Sequence, residues 1–130
     1  WLDETFGECR LLPTDDRRWS VLRDVALADG ILEAGSVVRQ ECLRPAALRS
    51  DAAISRECER IHSALAAFEK SANDLDGPLT LSHLTLACAL VWLRFRLPEI
   101  EWTAKRPRVA NTVRGLLARK SLSRTDPRKA

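Results

Sequence analysis

Four polar side chains that could bind a ligand follow one another along an otherwise apolar segment. Asp29, Glu33, Ser36 and Gln40 are spaced i, i+4, i+7 and i+11, which places them on one face of a helix. Two of them are acidic, and a carboxylate that faces a cleft can pair with a partly buried cation. The other interpretation is that this strip is only the solvated side of the helix. The residues alone leave both interpretations open.

Three apolar residues lie just before this strip in the same predicted helix. Trp19, Leu22 and Ala26 repeat at helical spacing and could line a pocket for an apolar substrate. Such residues more often pack against a neighbouring domain. We therefore treat Trp19, Leu22, Ala26, Asp29 and Glu33 as the candidate substrate-binding residues.

The remaining reactive side chains do not form a pattern typical of catalysis or metal binding. His62 and His83 lie beside apolar helical stripes, and no acid or nucleophile is spaced to form a triad with them. The four cysteines, at positions 9, 42, 58 and 88, contain no CxxC pair and no zinc spacing. Cys58 and Cys88 fall on apolar helical positions, which predicts reduced core thiols. We predict no catalytic residue, no metal site and no bound cofactor.

Composition indicates one globular domain. The chain has 130 residues, of which 45% are hydrophobic and 30% charged, enough to bury a core. No apolar run is long enough to span a membrane, and no signal peptide is visible. We therefore expect a cytoplasmic protein. The sequence begins with Trp1 rather than Met, as a fragment or a processed chain would.

Charge is distributed unevenly along the chain. Residues 1–93 carry 10 Lys and Arg against 15 Asp and Glu, whereas residues 94–130 carry 11 against 3. A basic end can indicate a nucleic acid partner. After Trp102 no aromatic residue is interleaved with the basic ones, so a platform for stacking bases is not visible. The pattern does not favour nucleic acid binding.

Apolar periodicity predicts an all-α fold of four to five helices. The first runs from Asp15, with Thr14 or Asp15 as a cap, to about Leu43. The second starts at Ser50 or Asp51 and ends near Asn73. It carries a buried stripe with i, i+4, i+7, i+11 and i+14 spacing, formed by Ile54, Cys58, Ile61, Leu65 and Phe68.

The third helix is apolar on nearly every side. Between Leu84 and Leu93 the single polar side chain is Thr85, so we expect this helix to lie at the centre of the bundle. Thr80 can cap it. Pro98 follows it, and Pro107 suits the first turn of a fourth helix.

Several segments together resemble the C-terminal helical domain of a bacterial glutathione S-transferase. They are "LLPTDDRRW", "ALADGILEAG", Arg44-Pro45, "GPLTLSHLTLACAL", "FRLPEIEW" and "RPRVANTVRGLLARKSLSRTDP". The most specific is "GPLT", which resembles the capping box before the core helix of that domain. The family usually has Asp where this chain has His83, so we expect a weaker reciprocal half of the box. The resemblance implies a linker at 1–14, a helical domain at 15–120 and a basic tail at 121–130.

The resemblance also implies a function. In the family a thioredoxin-like N-terminal domain binds the co-substrate glutathione and activates its thiol, and the helical half contributes the electrophile pocket and the homodimer contacts. Glu33, four residues after Asp29-Gly30, matches the acidic residue that reaches the neighbouring subunit's glutathione. Without the thioredoxin-like domain we expect no conjugating activity. The alternative is a non-catalytic helical module for protein association.

Overall fold

The computed structural model describes residues 1–8, 10–71 and 77–127. Within these residues the secondary structure is helical and contains no strand, which confirms the all-α prediction. The helices are α1 (Leu2–Phe6), α2 (Arg17–Leu43), α3 (Asp51–Lys70), α4 (Leu81–Arg96), α5 (Pro107–Leu117) and α6 (Lys120–Ser123), with a short 3-10 turn at Ala46–Leu48. None of them is long and apolar enough to cross a membrane, within the ranges described.

Helix boundaries follow local chemistry closely. The Ser50 side chain accepts a hydrogen bond from the backbone N–H of Ala53 at 3.2 Å and starts α3. Pro107 occupies the first turn of α5, where its missing N–H costs nothing. The first long helix begins at Arg17 rather than Asp15, because the Asp15 carboxylate accepts from the Arg17 backbone N–H at 3.0 Å.

The core is formed where α2, α3, α4 and α5 meet, and α2 and α4 contribute four residues each to it. Leu90 of α4 is 1% exposed, and α2 packs against both α3 and α4. Most of the predicted stripe of α3 is buried, with Ile54 and Cys58 partly so. Side chains without exposed area include Ile31, Ile61, Leu65, Phe68, Leu86, Leu93 and Val109.

Gly35 allows α2 and α4 to approach closely. A Cβ at this position would lie 2.8 Å from Trp92 Cζ3 and 3.4 Å from Leu93 Cδ1. The first distance is below any ordinary van der Waals contact, so a larger residue would force the Trp92 ring or the helix that carries it to shift. Gly30, one turn and a half earlier, has open space around the same position.

Two predictions about the central helix are corrected by the structure. Cys88 is exposed and Leu84 is half-buried, whereas we expected both in the core. The physical reason is that, among the residues the structure describes, no element fully covers the face of α4 that carries Cys88, Trp92 and Phe95. Because the helix is apolar on nearly every side, its sequence does not show which face remains exposed.

Both ends of the chain contain a short helix within the described residues. Residues 1–14 include α1, and the region after residue 119 includes α6 and the buried Asp126. The predicted end of the second helix near Asn73 lies outside the described residues, and α3 is helical to Lys70.

Candidate functional site

Helix α2 has a buried stripe and, on the opposite face, an outward stripe that begins with apolar residues. The buried stripe repeats every three or four residues and packs against α3 and α4. Its members are Val21, Asp24, Ala28, Ile31, Ala34, Gly35 and Val38. A helix that serves only the core would be polar on its other face. The apolar start of the outward stripe of α2 is therefore a candidate site.

The five candidate residues share this outward stripe. Trp19 is 74% exposed, Leu22 is half-buried, and Ala26, Asp29 and Glu33 are exposed. The stripe is apolar near the start of the helix and acidic in the middle. The predicted strip continues through Ser36 and Gln40, which are also exposed.

Arginine side chains from α3 approach the acidic end of the stripe. Arg60 Nη2 lies 3.7 Å from Glu33 Oε2, while its Nη1 donates to Glu57 Oε2 at 2.6 Å. Glu57 is buried, and Arg56 Nε donates to its other oxygen at 3.0 Å. The hydrogen bond from Arg56, followed by that from Arg60, holds the pKa of Glu57 below its ordinary value. Glu57 thus fixes Arg60, whereas the Glu33 side chain stays 77% exposed and can accept a second cation.

A groove of about 500 Å³ runs between α2 and α3 beside the stripe. Ala26 and Gly30 line it from α2, and Arg56, Arg60 and Ala64 line it from α3. The lack of a side chain at Gly30 keeps it open. The groove meets the outward stripe at Ala26.

The N-terminal segment, which was predicted to be a linker, carries an exposed apolar surface. The Asp3 carboxylate accepts from the backbone N–H groups of Leu11 and Leu12 at 2.9–3.1 Å, which folds the segment back on itself. Trp1, Leu2 and Phe6 are 80%, 69% and 74% exposed. The signal that could have revealed α1 is the acidic pair Asp3-Glu4 in its first turn.

A buried carboxylate was not among the predicted site residues. Asp24, on the buried stripe of α2, is 3% exposed and accepts from Arg23 at 2.8–2.9 Å. It lines a cavity of about 220 Å³ together with Ser20, Thr80 and Ser82. This buried carboxylate could have been predicted, because an acidic residue stands at a position of the helix where the spacing indicates a core side chain.

The described residues hold no constellation for nucleophilic or metal chemistry. Within them, no group of three or more His, Cys, Asp and Glu side chains could hold a metal ion. Burial raises the pKa of the Cys58 thiol, which disfavours the reactive thiolate.

Comparison with known proteins places this arrangement in a family. Residues 51–111 match the model of the glutathione S-transferase C-terminal domain. The uncharacterised GST-like protein YibF of Escherichia coli K12 is 36% identical over 126 residues, which cover 92% of this chain and 61% of YibF. The chain carries a glutathione S-transferase C-terminal domain.

Solved structures agree with this assignment. A glutathione transferase family member of Pseudomonas fluorescens Pf-5, with bound S-(propanoic acid)-glutathione, superposes with a TM-score of 0.85 at 33% identity, over 89% of this chain and 61% of that one. A glutathione S-transferase of Methylobacillus flagellatus, with glutathione bound, has the same fold, with a TM-score of 0.88 at 24% identity, over 97% of this chain and 65% of that one. The chain thus spans about three fifths of the length of these relatives.

The capping box of this glutathione S-transferase domain is intact at the start of α4. The Thr80 side chain faces the backbone N–H of His83, and His83 Nδ1 accepts from the backbone N–H of Thr80 at 3.1 Å. The reciprocal half of the box is therefore present, with histidine in place of aspartate. An unprotonated imidazole nitrogen is an acceptor like a carboxylate oxygen, and His83 is long enough to reach back.

Proposed function

We propose that this chain is the helical half of a glutathione-dependent transferase. In this proposal residues 15–120 form the helical domain, residues 1–14 connect it to a thioredoxin-like domain and residues 121–130 form its tail. Glutathione is the co-substrate, and an apolar electrophile is the second substrate. The related structures with bound glutathione or a bound glutathione conjugate support this class of reaction.

The observation that carries the proposal is the outward stripe of α2. Its apolar part, Trp19, Leu22 and Ala26, is not covered by the helices that bury the opposite face of the same helix. If these side chains packed against a second domain, they would form an apolar pocket surface that excludes water and can bind an apolar electrophile. Asp29 and Glu33 follow one to two turns later, where a polar co-substrate would enter.

Glu33 is proposed to act through its charge. Its carboxylate is largely exposed, and beside Arg60 it can still accept a hydrogen bond from a second cation. In a homodimer it would meet the γ-glutamyl ammonium of glutathione bound to the neighbouring subunit. A charge-assisted hydrogen bond of this kind is shorter and stronger than a neutral one.

Activation of glutathione requires a group outside the helical domain. A thiol with an ordinary pKa near ~8.5 is only a few per cent ionised at neutral pH. A donor from the thioredoxin-like domain would stabilise the thiolate. We therefore expect the isolated 130-residue chain to give only the uncatalysed rate with glutathione and an activated aryl halide.

The test is to join this chain to the N-terminal domain of the Pseudomonas fluorescens relative and to measure conjugation. The fusion should conjugate glutathione, and Glu33→Gln should raise the KM for glutathione about tenfold. Glu99→Gln, an exposed residue of the segment between α4 and α5, is the matched control and should change neither constant. A folded fusion without activity, or equal effects of the two substitutions, would contradict the proposal.

The alternative is a non-catalytic module for protein association. The exposed apolar side chains of the N-terminal segment, Trp1, Leu2 and Phe6, are the observation that favours it. A folded fusion that binds no glutathione in calorimetry, while the chain still associates through Trp19, would support this alternative.

A further inference from the structure

The cavity beside the buried carboxylate of Asp24 lies between the N-terminal ends of α2 and α4. Its volume is about 220 Å³, below the range of most small-molecule pockets, about 300–1,000 Å³. Ser20 and Asp24 line it from α2, Ser82 lines it from α4, and Pro13 of the N-terminal segment lies against it. The cavity is therefore large enough only for a small ligand.

One oxygen of the Asp24 carboxylate has no hydrogen-bond partner among the described residues. The Nε and Nη2 groups of Arg23 both donate to the same oxygen, Oδ1, at 2.9 and 2.8 Å. The Asp24 side chain is only 5% exposed, whereas that of Arg23 is 56% exposed. The other oxygen, Oδ2, is not fully enclosed. A buried carboxylate oxygen without a hydrogen bond is unfavourable, so Oδ2 offers an unused acceptor at the cavity that Asp24 lines.

The hydrogen bonds of the α4 capping box fix the direction of the Ser82 hydroxyl. His83 Nδ1 accepts from the backbone N–H of Thr80, so this nitrogen carries no proton. The hydrogen between Nδ1 and Thr80 Oγ1, which are 2.7 Å apart, therefore belongs to the threonine. It follows that Thr80 Oγ1 accepts from the Ser82 hydroxyl at 2.9 Å. Ser82, which is 3% exposed, has used its one hydrogen and retains its lone pairs as acceptors.

The Ser20 hydroxyl is committed in the same way. It donates to the backbone carbonyl of Arg17 at 2.8 Å, so its lone pairs also remain available as acceptors. The Arg17 guanidinium lines the cavity, but both oxygens of Asp15 bind it at 2.7–3.0 Å and compensate its charge. The oxygens of Ser20, Asp24 and Ser82 thus call for a ligand that is a hydrogen-bond donor.

We infer that this cavity binds the ammonium group of a small primary amine. An alkylammonium group has three N–H donors and a positive charge, which match the two hydroxyl oxygens and the unpartnered carboxylate oxygen. The charge-assisted hydrogen bond to Asp24 is the strongest of the three. A short alkyl chain contacts Val21 and Pro78, which also line the cavity.

A divalent metal ion fits the same oxygens less well. Ca²⁺ takes about six to eight oxygen ligands, usually with several carboxylates, whereas the described residues around this cavity include a single carboxylate. The site lies on the buried face of α2 and does not depend on the transferase proposal.

The test is titration of the isotopically labelled 130-residue chain with n-butylammonium chloride, followed by the chemical shifts of the backbone amides. Saturable shifts should be concentrated at Ser20, Asp24 and Ser82. Butyltrimethylammonium has the same charge and alkyl chain but no N–H group, and it should bind at least about tenfold more weakly. Potassium chloride at the same ionic strength should not produce these shifts.

Two variants locate the site. Asp24→Asn keeps the shape of the side chain and removes its charge, and should weaken butylammonium binding about tenfold. Asp51→Asn, at an exposed acid in the first turn of α3, is the matched control and should leave the affinity unchanged. Ser20→Val keeps Asp24, removes one acceptor and narrows the cavity, and should also weaken binding.

Circular dichroism confirms that each variant is folded, and Ser20→Val tests the inference even where Asp24→Asn does not fold. Absence of saturable shifts, or equal shifts with butyltrimethylammonium or potassium, would overturn the inference. An equal loss of affinity in Asp51→Asn, or unchanged affinity in folded Asp24→Asn or Ser20→Val, would do the same.

Discussion

His83 shows how one side chain can take over the role of another at the start of a helix. Its Nδ1 accepts from the Thr80 backbone N–H and lies 2.7 Å from Thr80 Oγ1. The residue type differs from the acidic one typical of this motif, but the geometry of a reciprocal cap is preserved. This position requires a side chain of suitable length that carries a hydrogen-bond acceptor. A comparison of residue types alone does not show that histidine meets this requirement.

Removal of the Thr80 hydroxyl should weaken this cap. Thr80→Ala is expected to lower the free energy of unfolding by ~0.5–2 kcal/mol, because a helix N–H group loses its side-chain partner. Urea denaturation followed by circular dichroism measures the change. Thr80→Ser keeps the hydroxyl and should retain most of the stability.

The reciprocal half has its own pair of variants. His83→Gln keeps an acceptor that suits this position of a capping box, whereas His83→Leu removes it. The leucine variant should be the less stable of the two in the same denaturation experiment. Equal stabilities would show that the imidazole acceptor does not contribute to the cap.

Two glycines of α2 should respond in opposite directions to the same substitution. Gly35→Ala places a methyl group against Trp92 and should destabilise the fold by ~1–3 kcal/mol. Gly30→Ala meets no neighbour and should stabilise it by ~0.5–1 kcal/mol, because alanine has the higher helix propensity. Melting temperatures of the two variants that change in the same direction would contradict the packing described for the α2–α4 crossing.

At the scale of the elements, the long helices could be predicted because their boundaries are local. Ser50 and Pro107 act where the sequence places them, and the stripe of α3 is visible from spacing alone. The orientation of α4 could not be predicted in the same way. A helix that is apolar all round gives no sign of which side, here that of Cys88, its neighbours leave open.

A contact between distant helices was equally invisible in the sequence. The Glu69 carboxylate, near the end of α3, accepts from the backbone N–H groups of Arg108 and Val109 at 3.1 Å. It therefore caps the start of α5 from another helix. Such a partner is separated by about forty positions, and only the packed structure brings the two together.

The central position of α4 leads to a contrast between two of its residues. Leu90→Ala should cost ~2–5 kcal/mol, because the side chain is buried and its removal leaves a cavity. Cys88→Ala, on the exposed side of the same helix, should cost far less. Denaturant unfolding of both variants checks this, and a loss below about 1 kcal/mol for Leu90→Ala would contradict its place in the core.

At the scale of the whole molecule, exposed apolar side chains are concentrated at the N-terminal end. They include Trp1, Leu2, Phe6 and Trp19, and the ion pair between Glu4 and Arg18 at 3.5 Å joins the two helices that carry them. The candidate site could be predicted as a set of residues on one helix face. Its extension onto α1 could not, because the fold of that segment depends on the long-range hydrogen bonds of Asp3.

Sedimentation velocity of the 130-residue chain over a range of concentrations tests the central claim most directly, namely that the outward stripe of α2 is a surface for association. The chain should self-associate, because its exposed apolar side chains gain from burial. Trp19→Ser should weaken this association. Leu48→Ser is the control, because Leu48 is another exposed apolar residue, 62% exposed, and this change should not weaken it. A strictly monomeric chain at all concentrations, or equal effects of the two substitutions, would contradict the claim.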